Sequence, residues 1–206
     1  MSTDAPTPPD DRAALRDELR TRRREVAPPD RADAARRLAA RAVAVLAARA
    51  PGRIGSYLPT DGEIDPTLAV DELRARGWTT MLPIVRPGHT MWFAPWDGQA
   101  PLRPNRYGIE EPIAPAELAA PTELDVVLVP CVGVDPRGNR LGFGAGYYDR
   151  AFGPAADGAA PRTLLVGVVF DLQVVAALEP RSWDVPLDLV LCESATIPTG
   201  ARPGSA

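Results

Sequence analysis

The sequence contains no lysine, so every one of its 23 Lys+Arg residues is an arginine. This absence excludes Schiff-base chemistry and a lysine general base. Histidine and cysteine are also scarce. We expect the only histidine, His89 in a Pro-Gly-His turn, to be a solvated loop residue, with a catalytic role as the less favoured alternative. Cys131 and Cys192 have neither zinc spacing nor a Cys-x-x-Cys motif, which predicts two buried thiols.

Long apolar runs are missing as well, and the first eleven residues are polar and acidic. These features predict neither a membrane span nor a signal peptide. The net charge of −4 gives no argument for binding to nucleic acid or to a membrane. We therefore expect a reduced, cytoplasmic protein, and a monomeric state is a separate expectation. Its 206 residues predict a disordered tail over 1–10, a single domain over 11–195, and a C-terminal tail over 196–206.

Apolar periodicity along the chain alternates between helical and extended patterns. Helices are predicted over 11–26, 30–49 and 66–76, and strands over 53–58, 79–83, 91–94, 125–130, 163–170 and 187–192. The proline-rich segment 100–123 is predicted to be a connection. This alternation is typical of an α/β fold, and we expect a three-layer sandwich with a mostly parallel central sheet between helices.

The most informative segment, residues 138–150, contains four glycines and ends in Tyr-Tyr-Asp-Arg. Glycine-rich backbone turns its amides toward anions, Arg140 adds a phosphate-binding fork, and Asp149 adds a ligand suited to Mg²⁺. A helix beginning at Tyr147 would follow a buried strand. The segment is neither a Walker A loop, which needs lysine, nor a Rossmann fingerprint, which would need glycine at Tyr147. The alternative is a flexible surface loop.

The first predicted helix is rich in arginine, with six of them between Arg12 and Arg24. A solvated helix face is the default interpretation. A nucleic-acid surface is conceivable, although no aromatic residues are interspersed. The sharper hypothesis is that some of these arginines fold back onto a polyphosphate.

Several segments together carry a resemblance to a known family. They are, in chain order, residues 12–16, 54–59, 62–65, 82–83, 91–93, 108–112, 129–149, 167–170 with Gln173, and Asp184 with 187–193. On these motifs the chain resembles 5-formyltetrahydrofolate cyclo-ligases, also called methenyltetrahydrofolate synthetases. Three departures stand out: Arg12 replaces the usual lysine, Ala145 stands where Gly or Lys is common, and Trp183 precedes Asp184 where His is common.

The resemblance implies ATP-dependent conversion of 5-formyltetrahydrofolate to 5,10-methenyltetrahydrofolate, with release of ADP and phosphate. The γ-phosphoryl group would pass to the formyl oxygen, and N10 would then attack the activated carbon. Such a reaction depends on positioning and charge stabilisation. Two alternatives stay open: a non-catalytic ATP- or folate-binding paralogue, suggested by Ala145 and Trp183, and a sugar-phosphate isomerase-type enzyme on a related fold.

The resemblance also implies roles for individual residues. Arg140 and Tyr147 would be catalytic, and Asp149 and Asp184 would hold Mg²⁺. ATP would contact Arg12, Arg16, Arg140, Leu141, Gly142, Phe143, Gly144, Ala145, Gly146, Tyr147 and Tyr148. The folate would contact Leu58, Glu63, Phe143, Gly144, Ala145, Gly146 and Tyr147. The competing interpretations are that Glu63 is a loop charge, that Asp149 pairs with an arginine, and that Asp184 caps a turn.

Overall fold

The computed structural model describes residues 11–113, 115–153 and 163–200. The predicted tail over 1–10, and the part of the predicted C-terminal tail beyond residue 200, lie outside the described residues. The largest element is a seven-stranded sheet in the order β11-β10-β9-β6-β1-β2-β3. Its strands are β1 (Arg53–Gly55), β2 (Thr79–Arg86), β3 (Thr90–Pro95), β6 (Val126–Pro130), β9 (Leu164–Val168), β10 (Leu189–Leu191) and β11 (Thr196–Pro198).

The five inner strands are parallel, and the two edge strands, β3 and β11, are antiparallel to their neighbours. Strand β6 shows why the sheet is buried on both faces. Val126 and Leu128 pack into one apolar cluster, whereas Val127 and Val129 pack into another on the opposite face. A continuous apolar run is typical of such a doubly covered parallel strand.

Helices cover both faces and confirm the predicted three-layer α/β fold. Helices α2 (Pro28–Leu46) and α3 (Thr67–Ala75) cover one face, burying Leu38, Leu46 and Leu73 against it. Helix α4 (Tyr147–Phe152) covers the other face with Phe152. No helix within the described residues is both long enough and apolar enough to cross a bilayer.

Helix α1 (Asp11–Arg24) has an acidic first turn and an arginine-rich last turn, which complements the helix dipole. It packs beside the sheet rather than on it. Its buried Leu19 joins a small cluster with Val132, Leu141 and Leu178. This contact lays α1 along the segment that leads into the glycine-rich loop.

Three parts of the chain differ from the predictions. The connection predicted over 100–123 contains a hairpin of β4 (Leu102–Pro104) and β5 (Glu110–Pro112), and a second short hairpin joins β7 (Gly133–Val134) to β8 (Arg140–Leu141). The sheet also continues past residue 195, because β11 pairs with β10. Residues 196–198 therefore belong to the domain rather than to a tail.

Candidate active site

A cavity of about 550 Å³ opens beside the carboxyl ends of β1 and β6. Tyr57 and Leu58 line it just after β1, and Pro130 lines it at the end of β6. Open parallel sheets usually bind their ligands at this edge. The volume lies within the usual range for small-molecule sites.

The cavity brings together residues that are far apart in the chain. Of the predicted site residues, it is lined by Arg12, Arg16, Leu58, Glu63, Arg140, Gly142, Phe143, Gly144, Ala145, Gly146, Tyr147, Tyr148, Asp149 and Asp184. Leu141 is the exception, because its fully buried side chain packs against Leu19 in the core and its carbonyl accepts from the Val132 N–H. The Leu141 side chain therefore supports the loop from the core, and the predicted contact of Leu141 with ATP stays a prediction.

The glycine-rich loop follows β8 and leads into α4. Gly144 has φ +105° and Gly146 has φ +66°, which are left-handed conformations that favour glycine. A Cβ atom at Gly142 or Gly144 would meet no other atom within 4 Å. The loop therefore presents backbone to open space in the cavity, which fits a phosphate group approaching its amides.

Arg140 sits at the base of this loop with a buried guanidinium. Nη2 donates to Asp149 Oδ1, and Nη1 donates to the Val185 carbonyl. The same Asp149 oxygen accepts from the Val185 N–H at 3.1 Å. The Arg140 guanidinium, which was predicted to bind phosphate, therefore already pairs with a carboxylate, as the competing interpretation of Asp149 stated.

Two arginines of α1 reach the same region. Arg16 Nε donates to the Gly142 carbonyl at 2.8 Å. Arg12 Nη1 donates to Asp184 Oδ2 at 3.0 Å and to the Glu179 carbonyl at 2.8 Å. Asp184 Oδ2 also accepts from the Arg181 N–H at 3.0 Å, so it caps a turn as well as pairing with Arg12.

Asp149 and Asp184 both line the cavity, and each is paired with an arginine. Across the described residues, no group of three or more His, Cys, Asp or Glu side chains is arranged to hold a metal ion. Two carboxylates still match what Mg²⁺ takes from protein when phosphate oxygens and water supply its other ligands.

The acidic loop after β1 brings Glu63 into the cavity wall. Glu63 is 8% exposed, and its Oε2 accepts from the Thr60 N–H at 2.9 Å. Burial raises the pKa of the Glu63 carboxyl, although the Thr60 hydrogen bond and the nearby Arg23 both act to lower it. Glu63 is thus a buried carboxylate facing a ligand cavity, not a solvated loop charge.

Tyr147 stands at the mouth of the cavity. Its hydroxyl accepts from Arg106 Nη2 at 2.9 Å and shares a hydrogen bond of 2.8 Å with the Tyr107 hydroxyl. Desolvation acts to raise the pKa of Tyr147, but these two hydrogen bonds outweigh it and lower the pKa below its usual value. The exposed His89 ring lies with its centroid 5.7 Å from that of Tyr147.

Sequence reasoning missed several residues of the cavity wall. Tyr57, Tyr107 and Arg181 line the cavity without having been predicted to do so. Tyr107 directly precedes the Gly-Ile-Glu-Glu-Pro motif over residues 108–112, so that motif was the available signal. Arg181 carried no signal, because only the fold brings its loop beside Trp183 and Asp184.

Comparisons with known proteins converge on one family. The model of the 5-formyltetrahydrofolate cyclo-ligase family matches residues 9–193. A 5-formyltetrahydrofolate cyclo-ligase of Haemophilus influenzae is 30% identical over 85% of this chain and 94% of its own length. One from Escherichia coli is 30% identical over 85% of this chain and 97% of its own. The NMR structure of Aquifex aeolicus 5,10-methenyltetrahydrofolate synthetase superimposes with a TM-score of 0.73 and 29% identity, covering 95% of both chains.

Proposed function

Because this chain belongs to the 5-formyltetrahydrofolate cyclo-ligase family, we propose that its cavity binds 5-formyltetrahydrofolate and ATP side by side. The products are 5,10-methenyltetrahydrofolate, ADP and phosphate. One observation carries the proposal: a glycine-rich loop with three arginines and a buried glutamate line the same cavity. The loop and the arginines suit a polyphosphate, and the glutamate suits the N–H groups of a reduced pterin.

The nucleotide side consists of the glycine-rich loop and the arginines Arg12, Arg16 and Arg140. The open space over Gly142 and Gly144 supports contact between the phosphates and the loop amides. Arg16 binds the loop through a backbone carbonyl, so it orients the loop without occupying any amide. Mg²⁺ arriving with the nucleotide would neutralise phosphate charge, and Asp149 and Asp184 are the carboxylates that would hold it.

The folate side consists of Glu63 and the apolar wall around Leu58. Because Glu63 Oε2 is bound to Thr60, Oε1 is the oxygen available to accept from the ligand. Leu58 and Leu82 supply apolar surface for the ring system. Phe143, which is 44% exposed, stands between the two sides on the glycine-rich loop.

Two residues carry the chemistry in this proposal. Arg140 stabilises charge on the group transferred between the ligands. The Tyr147 oxygen is contacted by Arg106 and Tyr107, and its lowered pKa makes it a stronger hydrogen-bond donor to an oxygen that gains negative charge. The remaining residues bind and orient, which is what an in-line phosphoryl transfer mainly requires.

Purified protein tests the proposal with 5-formyltetrahydrofolate and Mg-ATP. We expect the ultraviolet absorbance of the methenyl product to rise together with ADP and phosphate in equal amounts. Omitting ATP should abolish the signal. Product without ATP contradicts phosphoryl activation, and binding of both ligands without product identifies a non-catalytic paralogue. An Ala145→Gly variant then shows whether this departure from the family reduces turnover.

A cytoplasmic location, a monomeric state and the lack of a nucleic-acid partner remain predictions of the sequence. Size-exclusion chromatography with light scattering measures the mass directly. A mass near the 22.0 kDa of one chain is the expected result.

A further inference from the structure

Arg23 is the largest side chain that is completely buried in the described part of the chain, with 0% exposure. It lies in the last turn of α1 and is not among the residues that line the cavity. A buried guanidinium is costly unless it is paired and hydrogen-bonded, so its partners reveal what it holds in place.

The partners of Arg23 belong to two segments that build the site. Nε donates to the Asp61 carbonyl at 3.1 Å, and Nη2 donates to Asp61 Oδ2 at 3.0 Å. Nη1 lies 3.5 Å from the Cys131 carbonyl, just after β6. The guanidinium thus joins the acidic loop to the carboxyl end of the sheet.

The same Nη1 lies 3.9 Å from Glu63 Oε1. This separation is too long for a hydrogen bond but short enough for a strong charge interaction in a buried site. Thr60 holds the other oxygen of Glu63, so Arg23 faces the oxygen that is available to the ligand. Arg23 can therefore set the charge and orientation of Glu63 without touching the ligand.

Arg23 also reaches the glycine-rich loop. Its Cζ lies 5.5 Å from the centroid of the Phe143 ring, and that of Arg20 lies 5.2 Å from it. Guanidinium groups are attracted to aromatic faces at this distance. One buried side chain therefore contacts both loops that form the candidate site.

We propose that Arg23 is a positioning residue that acts through Glu63, holding its carboxylate ionised and aimed at the folate. The inference rests on the proposed function, because it takes Glu63 to be the folate anchor.

Other charged and titratable groups face Glu63 as well. They are Asp61 on its own loop, Tyr57 after β1, Cys131 after β6 and Tyr148 on α4. Asp61 is the negative group that opposes ionisation of Glu63, and Arg23 is the positive group that favours it. The two tyrosines and Cys131 stay neutral, because burial raises the pKa of each. Removing the charge of Arg23 should therefore raise the pKa of Glu63 further above its usual value.

The test compares Arg23→Gln with Arg24→Gln in the methenyl-product assay across pH 5–8. Arg24 is the matched control, because it also pairs with Asp61 but has a side chain 51% exposed and no contact with Glu63. For Arg23→Gln we expect the KM for folate to rise about tenfold and the acid limb of kcat/KM to move up by about one pH unit, the usual effect of one nearby charge. Arg24→Gln should leave the acid limb of kcat/KM at its wild-type pH. Arg23→Lys retains the charge, so it should shift that limb only slightly.

A double-mutant cycle with Glu63→Gln separates positioning from general damage. In the Glu63→Gln background the acid limb should be absent, and Arg23→Gln should have no further effect on folate KM. If Arg23→Gln does not fold, Arg23→Met, which also removes the charge but keeps a long side chain, takes its place in the cycle. An unshifted acid limb in Arg23→Gln, or an effect on KM that persists undiminished without Glu63, overturns the inference. Failure of the unchanged protein to form product refutes the proposed function instead.

Discussion

Helix α1 holds the two loops of the site in different ways. Its first half contacts backbone, with Arg16 donating to the Gly142 carbonyl and Arg12 lying within 3.4 Å of the Arg140 carbonyl. Its second half contacts mainly one carboxylate, because three arginines converge on Asp61. Helix α1 thus holds the glycine-rich loop through its main chain, and the acidic loop mainly through the Asp61 side chain, with one further bond from Arg23 to the Asp61 carbonyl.

The difference shows how each loop can be disrupted. Contacts to carbonyls do not depend on which side chain the glycine-rich loop carries. The acidic loop depends on Asp61, which has a φ of +50° that costs most non-glycine residues energy but that Asp tolerates. We therefore expect the acidic loop to be sensitive to one substitution and to pH, and the glycine-rich loop to be sensitive mainly through Arg140.

The largest expected effect comes from Asp61→Ala. It leaves the buried Arg23 without its carboxylate, and breaking a buried ion pair costs about 3–5 kcal/mol. Urea denaturation should show this loss in the free energy of unfolding. Asp61→Asn keeps an oxygen acceptor and should lose less.

Asp33 provides the control, since it also pairs with two arginines but lies on the exposed face of α2. Asp33→Ala should leave the free energy of unfolding nearly unchanged.

The pH dependence of stability follows from the pKa of Asp61. Burial acts to raise this pKa, but hydrogen bonds from Arg24 and Arg20 lower it below its usual value. The contribution of Asp61 is therefore present above the unfolded-state pKa and is lost as pH falls through the folded-state pKa. Equal losses of unfolding free energy in Asp61→Ala and Asp33→Ala would contradict the special dependence of the acidic loop on Asp61.

On the nucleotide side, Arg140→Ala should have the largest effect. Losing one charge-assisted hydrogen bond to phosphate weakens binding by about 1.5–3 kcal/mol, while folate affinity should hardly change. Calorimetric titration with ATP measures the difference. Arg137→Ala is the matched control, because Arg137 lies nearby with a side chain 65% exposed. Unchanged ATP affinity in Arg140→Ala would remove Arg140 from the nucleotide site.

Sequence reasoning predicted the parts of the molecule that local pattern determines. The parallel sheet follows from buried apolar runs, and α4 begins at the predicted residue, Tyr147. Strand order could not be predicted, because β1 pairs with β6 about seventy residues further along the chain through tertiary packing. The β4–β5 hairpin was missed because each strand has three residues and ends in proline.

Local sequence pattern also decides which parts of the candidate site could be predicted. The glycine-rich loop has a local signature, so most of its residues could be assigned to the cavity. Arg23 has none, because it is one of several arginines with similar neighbours in α1. Only the fold buries Arg23 beside Asp61 and Glu63 while leaving Arg22 and Arg24 exposed.

A smaller effect is expected for the proposed metal ligands. Asp149→Asn and Asp184→Asn should each raise the Mg²⁺ concentration needed for half-maximal activity. The increase for Asp184→Asn should be smaller than that for Asp149→Asn or similar to it. Both carboxylates also pair with arginines, so both variants should melt at lower temperature whether or not they bind metal. The Mg²⁺ titration therefore distinguishes the roles, and the melting curve does not. A wild-type Mg²⁺ curve in both variants would end the metal assignment.

The smallest effect should come from Tyr107→Phe, which acts at the cavity mouth where the hairpin meets α4. The substitution removes one hydrogen bond to the Tyr147 hydroxyl but leaves the contact from Arg106. Because the site is open to water, which can replace the lost partner, we expect the KM for folate to rise only about two- to threefold.

Tyr107→Phe also serves as a control for the two loops that α1 contacts. Tyr107 lies outside both sets of α1 contacts, so its loss should alter neither the acid limb assigned to Glu63 nor the Mg²⁺ requirement. Tyr147→Phe removes the hydroxyl itself and should lower kcat, since Tyr147 is proposed to contact the reacting group. If Tyr107→Phe lowers kcat as much as Tyr147→Phe does, then the hydrogen bond between the two tyrosines, rather than the Tyr147 hydroxyl alone, orients the donor.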